Sequence, residues 1–259
     1  MTNTGAEFED VDVVAAYVHR PDYPPALHQR LFELSPGRRR LLDLGCGPGK
    51  LARALAPHFA EVIAVDPSAA MLRLGQALDG GANRNIGWVQ SRAEDLALDP
   101  AAIDLTVAGA SLHWMDPAEL FPKLAHAMAP GAVLAAIDGD APTDAPWIDA
   151  YQAVIVGWVK RLGDTWNGPA HQGRMSRHAP WFDVRGRETF TAQVRQPLET
   201  LIACQHSRAT WARAKMGPLA EAFDADLRAA LTPWADDGDI AFEMESRLVW
   251  GRARAAPSP

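Results

Sequence analysis

The segment Leu41-Leu42-Asp43-Leu44-Gly45-Cys46-Gly47-Pro48-Gly49 constrains the fold of this chain more than any other. An apolar run that ends in closely spaced glycines and then enters an amphipathic stretch reads as strand, tight turn and helix. Without Cβ atoms such a turn bends sharply and lets the backbone approach a ligand. Residues 61–65 read as a second strand, with Asp66 at its end. A carboxylate placed there, about 20 residues beyond a glycine turn, accepts hydrogen bonds from both hydroxyls of a ribose. Dinucleotide-binding turns favour G-x-G-x-x-G. This one is G-x-G-x-G, with an acidic residue two positions before the first glycine.

The alternation continues. Residues 86–90, 103–108 and 132–137 read as three more strands. Helices run through Leu51, Leu55 and Phe59, through Met71, Leu72 and Leu78 after Pro67-Ser68, and over 117–128 before Pro130-Gly131. Proline suits a first helical position, where its missing N–H has no partner to lose. Strands alternating with helices predict a doubly wound α/β sheet with right-handed crossovers. Two further helices precede it, over 11–18 and 26–34. Beyond Asp138 the pattern loosens into a helix over 147–162 and an irregular loop over 163–181. Strands at 188–194 and 241–250 then flank helices at 198–215 and 219–231. The first dozen residues and the tail 255–259 read as disordered by composition.

Bulk properties narrow the partners. The net charge is -7 with no lysine-rich run, and the Arg38 to Arg40 cluster is short. Phosphate neutralisation supplies most nucleic-acid affinity, so a nucleic-acid partner is not expected. Cys46 and Cys204, the two cysteines, form neither a disulfide framework nor a zinc site, and no metal is expected. No stretch of about 18 apolar residues spans a bilayer, and the polar, acidic N-terminus lacks the apolar region of a signal peptide. The expectation is a cytoplasmic protein with no membrane partner. Nothing in the sequence sets its oligomeric state.

Taken in order, these motifs resemble the class I S-adenosylmethionine-dependent methyltransferases, specifically the small-molecule group called methyltransferase type 11. The resemblance covers roughly Tyr17 to Gly139. It implies a Rossmann-like, mostly parallel, seven-stranded sheet with helices on both faces and a helical lid over the C-terminal strand ends. The segments then divide into an N-terminal tail and cofactor-covering helices (1–35) and a cofactor-binding core (36–139). A lid or substrate-binding insertion (140–186) and C-terminal elements completing the sheet (187–259) follow. The run from Asp43 through Gly45, Cys46, Gly47 and Gly49 is similar to the family's first motif. Asp66, Pro67 and Met71 resemble the second, where the acidic residue holds ribose and the methionine packs on adenine. Ala93 and Glu94 resemble the turn at the adenine edge. Ala110 and Ser111 stand where the family presents residues beneath the methionine part of the cofactor. The phrase Tyr17-Val18-His19-Arg20-Pro21-Asp22-Tyr23 resembles a segment that folds over the cofactor, making Tyr17 and Arg20 lid candidates. The Leu112-His113-Trp114 phrase is similar to that of trans-aconitate methyltransferases.

The implied reaction is an in-line displacement, so the main demands are alignment of nucleophile and methyl group and exclusion of water. A hydroxyl acceptor also needs a base, whereas a carboxylate needs none. His113 is the candidate base, because it follows a strand's C-terminal end, where doubly wound sheets bind ligands. Tyr23, His113, Trp114, His171, Arg174 and Arg208 are candidates for contact with a small-molecule acceptor. O-methylation of a hydroxyl or carboxylate is the leading reading, with transfer to nitrogen, sulfur or carbon left open. The alternative is an S-adenosylmethionine-binding regulator or assembly partner that transfers nothing. A nicotinamide oxidoreductase lacks support from the glycine spacing. A nucleic-acid methyltransferase lacks support because 109–114 carries no Asn/Asp-Pro-Pro-aromatic phrase to hold a flipped base.

Overall fold

A computed structural model of the chain describes residues 6–163 and 176–258. Five parallel strands, β1 (Arg40–Leu44), β2 (Glu61–Asp66), β3 (Ile86–Gln90), β4 (Ile103–Gly109) and β5 (Met128–Asp138), lie in the order β3-β2-β1-β4-β5. The order reverses between β1 and β4, which opens a crevice over their C-terminal ends. Past β5 the sheet turns antiparallel. It adds β6 (Pro142–Asp144), β7 (Phe182–Pro197) and β8 (Asp239–Ala253), with β8 beside β5. Among the described residues the sheet therefore has eight strands, one more than the resemblance implies. The extra one, β6, is a short piece paired with β8 at Pro142↔Met244, beyond the β5 pairing at Asp138↔Arg247.

Among the described residues the α-helices are α1 (Val11–Ala16), α2 (Pro25–Leu34), α3 (Lys50–Leu55), α4 (Ala69–Asp79), α5 (Pro117–Ala127), α6 (Ile148–Arg161), α7 (Leu198–Gln205), α8 (Arg213–Met216) and α9 (Ala220–Leu231). Helices α2 and α3 cover one face of the sheet, packing Leu27, Leu31, Leu51 and Leu55 against Leu41, Leu105 and Val107. The other face takes Leu120, Phe121 and Leu124 of α5 against Leu42, Leu44 and Leu134. Burial on both faces explains why β5 is a nearly unbroken apolar run, and why β1 and β4 stay buried even at their polar residues Asp43, Asp104 and Thr106.

Strands β7 and β8 stay paired from Phe182↔Ala253 to Pro197↔Asp239 and so continue past the C-terminal end of β5. On this extension sits a third apolar cluster. It joins Trp147, Trp158 and Val159 to Leu201, Phe223 and Leu227, over Ile240, Phe242 and Met244. The helical cap is thus drawn from both sides of β7, rather than confined to 140–186. The helix read over 198–215 is broken: α7 stops at Gln205, and α8 begins at Arg213.

Residues 8–10 and 254–258 are tied to the rest of the fold, contrary to the composition around them. Ser68 Oγ donates to the Phe8 carbonyl (2.7 Å), Ala69 N–H donates to Glu9 Oε1 (3.0 Å), and Asp10 caps α1. At the other end, Arg254 N–H donates to the Trp181 carbonyl and Ser258 N–H to that of Pro180. Unsatisfied backbone groups on the core recruit these segments, a requirement that local composition does not encode.

Candidate active site

The glycine turn closes β1 onto α3. Gly45, Gly47 and Gly49 hold φ of 62°, 53° and 73°, the left-handed region that other residues enter at a cost. Contact adds a second constraint. A Cβ on Gly45 would stand 2.6 Å from that of Ser111, whereas a Cβ on Gly47 would meet only the Tyr17 ring at 4.0 Å. Cys46 N–H donates to the Val65 carbonyl, stitching the turn to β2, and burial pushes its thiol well up.

Two buried carboxylates frame this turn. Asp66 Oδ2 accepts from Gly47 N–H and Oδ1 from Ser68 N–H, each at 2.8 Å. Asp43 Oδ2 accepts from Ala52 N–H at 2.9 Å. Burial pushes Asp43 up to about 7, against the pull of that N–H and with a contribution from Asp66. Burial also raises Asp66, while the Ser68 and Gly47 N–H groups draw it down. Such a site is ill-suited to a pyrophosphate, whose charge would face Asp43 and Asp66 with the Gly47 N–H already taken. It fits a ligand offering hydroxyl donors and positive charge. Both are features of S-adenosylmethionine, which carries ribose hydroxyls, an ammonium and a sulfonium.

A roof covers the turn. The Arg20 guanidinium carbon lies 4.2 Å from the Tyr17 ring centroid. Phe8 makes edge contacts with Tyr17 and Trp114, at 6.4 and 6.1 Å between centroids. The N-terminal segment therefore reaches from the start of α4 to the loop after β4. Arg20 Nε donates to Ser207 Oγ (2.8 Å), Nη2 to the Ser207 carbonyl (2.9 Å) and Nη1 to Asp140 Oδ2 (3.0 Å). Lys50 fixes the same segment from below by donating to the carbonyls of Arg20 and Pro21. Burial lowers the Lys50 pKa.

The candidates separate in space. Tyr17, Arg20, Asp43, Asp66 and the glycines converge on the crevice over β1, β2 and β4. Tyr23 joins them, because its hydroxyl would lie 2.8 Å from a Cβ on Gly109, and burial raises it well above its ordinary range. Met71 is buried at the start of α4, Pro67 is exposed, and Ala93 is buried in a 3-10 turn over Ala93–Asp95. Two side chains are engaged elsewhere. Ser111 Oγ donates to the Leu44 carbonyl at 2.6 Å, and Glu94 Oε1 accepts from Asp116 N–H at 2.8 Å, beside the first turn of α5. Ala110, just before Ser111, has a positive φ of 50°. His113 is half-buried beside the exposed Trp114, and Arg177 Nη2 donates to its carbonyl at 2.7 Å. Arg208 lies in the cap, 3.4 Å from Asp140 Oδ1. His171 and Arg174 lie outside the described residues.

Lys50 and Asp140 escaped the sequence reading. Lys50 directly follows the glycine turn, a position that marks it in retrospect. Asp140 carries no such mark, because its partner Arg20 is far away in sequence.

Comparison with known proteins finds methyltransferases similar to this chain. Residues 41–131 match a family model described as a methyltransferase domain. An uncharacterized methyltransferase of Mycobacterium tuberculosis is 34% identical over 152 residues, 58% of this chain and 56% of that protein. A trans-aconitate 2-methyltransferase of Methylobacterium radiotolerans is 37% identical over 152 residues, 54% of this chain and 52% of that one. The chain thus spans about half the length of these relatives. Among solved structures, one described as a putative type II methyltransferase from Anaeromyxobacter dehalogenans superposes with a TM-score of 0.68 at 28% identity. It covers 92% of this chain and 99% of its own. No helix among the described residues is long and apolar enough to cross a membrane.

Proposed function

We propose that this chain, whose core is a class I S-adenosylmethionine-dependent methyltransferase domain, transfers a methyl group to oxygen of a small organic acceptor. The observation that carries the reading is the pair of buried carboxylates at the glycine turn. Asp66 would accept from ribose hydroxyls, and Asp43, whose carboxyl titrates at about 7, would be drawn to its charged form by a cationic ligand. When bound, S-adenosylmethionine supplies an electrophilic methyl group on a cationic sulfur. The chain's own contributions are alignment and enclosure. Tyr17 and Arg20, with Phe8 and Trp114, roof the site and exclude water. The loop from Ala110 to Trp114 presents the acceptor. His113 takes the proton when the acceptor is a hydroxyl, and orients the acceptor when it is a carboxylate. Support for an oxygen acceptor comes from the trans-aconitate 2-methyltransferase relative, a protein named for a carboxylate substrate.

Calorimetric titration with S-adenosylhomocysteine, using NADH as control, tests the cofactor. Micromolar binding of the first and none of the second is expected. Incubation with methyl-labelled S-adenosylmethionine and a panel of alcohols, acids and amines then tests transfer. Label appearing only on amines overturns the oxygen assignment, and binding without transfer to any acceptor favours a cofactor-binding regulator.

A further inference from the structure

Asp43, next to last in β1, is a buried carboxyl with no counter-charge. It is 1% exposed, its Oδ2 accepts from Ala52 N–H at 2.9 Å, and no cation pairs with it among the described residues. The groups around it add none. Asp66, at the end of β2, is a second carboxyl, and Glu9 of the roof is a third, beside Asp66. The Cys46 thiol in the turn and the Tyr23 hydroxyl before α2 are both pushed up, chiefly by burial and in part by the charge of Asp43, so both stay neutral. The cations of roof and cap are committed elsewhere. Lys50 holds the Arg20 and Pro21 carbonyls, Arg20 holds Ser207 and Asp140, and Arg208 lies beside Asp140. Asp66 has two N–H donors at 2.8 Å that favour its charged form, whereas Asp43 has one. A buried carboxyl so placed keeps its proton, because burial penalises only the charged form. Its rise to about 7 through burial agrees.

We propose that Asp43 releases its proton when an adenosyl ligand bearing an ammonium group enters the crevice, which makes cofactor capture a proton-coupled step. The inference rests on the methyltransferase reading and adds a charge-selecting role for Asp43. The exchange balances: the Asp43 O–H bond breaks, its electron pair stays on the carboxylate, and the proton passes to solvent. The carboxylate then supplies the counter-charge for the ligand's ammonium. The influence of Asp43 on Tyr23 and Cys46 shows that its charge is felt by groups lining the crevice. The same device discriminates between ligands. A neutral adenosine thioether brings nothing to ionise Asp43 and leaves the proton in place. For a ligand with an ammonium, affinity falls as pH drops below about 7, because each binding event must expel a proton. Above that value the carboxylate is already charged, and affinity levels off.

The test is calorimetry on the full chain with two probes, S-adenosylhomocysteine and methylthioadenosine. They share adenine, ribose and sulfur and differ in the amino-acid part. At about pH 6.5 the amine of S-adenosylhomocysteine is already protonated, so a released proton comes from the protein. Titrations in phosphate and in imidazole buffer, whose ionisation enthalpies differ, count the protons. Release of more than about half a proton per S-adenosylhomocysteine is expected, and none with methylthioadenosine. The affinity ratio of the first probe to the second is expected to rise about 10-fold between about pH 6 and about pH 8. Asp43→Asn keeps an acceptor for Ala52 N–H and is expected to lose both the release and the rise. The wild-type chain gives a readout that needs no variant: the infrared band of a protonated carboxyl should lose intensity when S-adenosylhomocysteine is added. The proposal is overturned if no proton is released, if methylthioadenosine releases as much, or if Asp43→Asn still releases it, which would assign the proton to Asp66. Failure of the wild-type chain to bind S-adenosylhomocysteine would instead strike the methyltransferase reading itself.

Discussion

Arg20 and Asp140 meet at 3.0 Å, joining the segment before the sheet to the loop after its fifth strand. The same guanidinium binds Ser207, so one side chain ties N-terminal roof, strand end and cap together. Lysine cannot replace it, because one ammonium does not reproduce a planar fork directed at three acceptors. Arg20→Lys and Arg20→Ala are both expected to weaken roof docking by about 1–3 kcal/mol. Hydrogen exchange of the α1 amides should accelerate in both variants. Unchanged exchange would mean that the roof is held by apolar packing alone.

Asp66→Ala removes the acceptor for Gly47 N–H and Ser68 N–H and, in the proposed complex, the ribose contact. Affinity for S-adenosylhomocysteine is expected to fall at least ~10-fold by calorimetry. A dissociation constant equal to that of the wild type would remove Asp66 from the cofactor site.

Asp43 gives the fold a pH dependence whose sign is opposite to that of a salt-bridged carboxylate. Its carboxyl titrates at about 7 in the folded chain, chiefly through burial, and near ~3.9 once unfolded. Between those values the folded state holds a proton that the unfolded state has lost, so stability declines as pH rises through this window. Asp43→Asn keeps a carbonyl oxygen for Ala52 N–H but lacks the slope. Its melting temperature relative to wild type should therefore climb between about pH 5 and pH 8. A constant offset would contradict the assignment.

Gly49 and Gly80 both have positive φ, 73° and 58°, but differ in surroundings. A Cβ on Gly49 would run into the Trp88 ring, whereas one on Gly80 meets nothing within 4 Å. Gly80→Ala should cost about 1–2 kcal/mol, the left-handed penalty alone. Gly49→Ala should cost a further ~1–3 kcal/mol from overpacking, with part recovered by adding Trp88→Leu. Denaturant unfolding of the three variants decides the point, and equal costs at both glycines would show that Trp88 simply moves aside.

His113→Ala is expected to leave S-adenosylhomocysteine affinity unchanged while reducing turnover with a hydroxyl acceptor by ~100-fold or more, the usual contribution of a positioned base. Full turnover in the variant would move proton transfer to another group.

The parallel half of the fold was legible because burial on both faces writes it as apolar runs, and because Gly45, Gly47 and Gly49 mark where β1 must turn. The antiparallel half was underread. Strands anticipated at 188–194 and 241–250 extend over Phe182–Pro197 and Asp239–Ala253, because much of β7 has one exposed face, which carries Arg187, Gln193 and Arg195. The break after Gln205 was hidden for a different reason. His206 is held by the Trp211 carbonyl and the Asp224 carboxylate, each at 2.7 Å, and the Asp224 contact is tertiary. Glu94 shows the same limit at the site: the resemblance puts it in the turn at the adenine edge, but nothing local announces that its side chain accepts from Asp116 N–H.

The cap's apolar cluster is distinct from the two that sandwich the sheet, and it sits on the stretch of β7 and β8 that has outrun β5. Cooperativity therefore has a seam. Sub-global opening can release the cap helices while the parallel strands stay protected, with the hairpin as hinge. Arg20 lies across that seam, so each roof opening is also a partial uncoupling of two folding units. A ligand bound beneath the roof would be felt by both units at once, raising the melting of the cap together with that of the sheet.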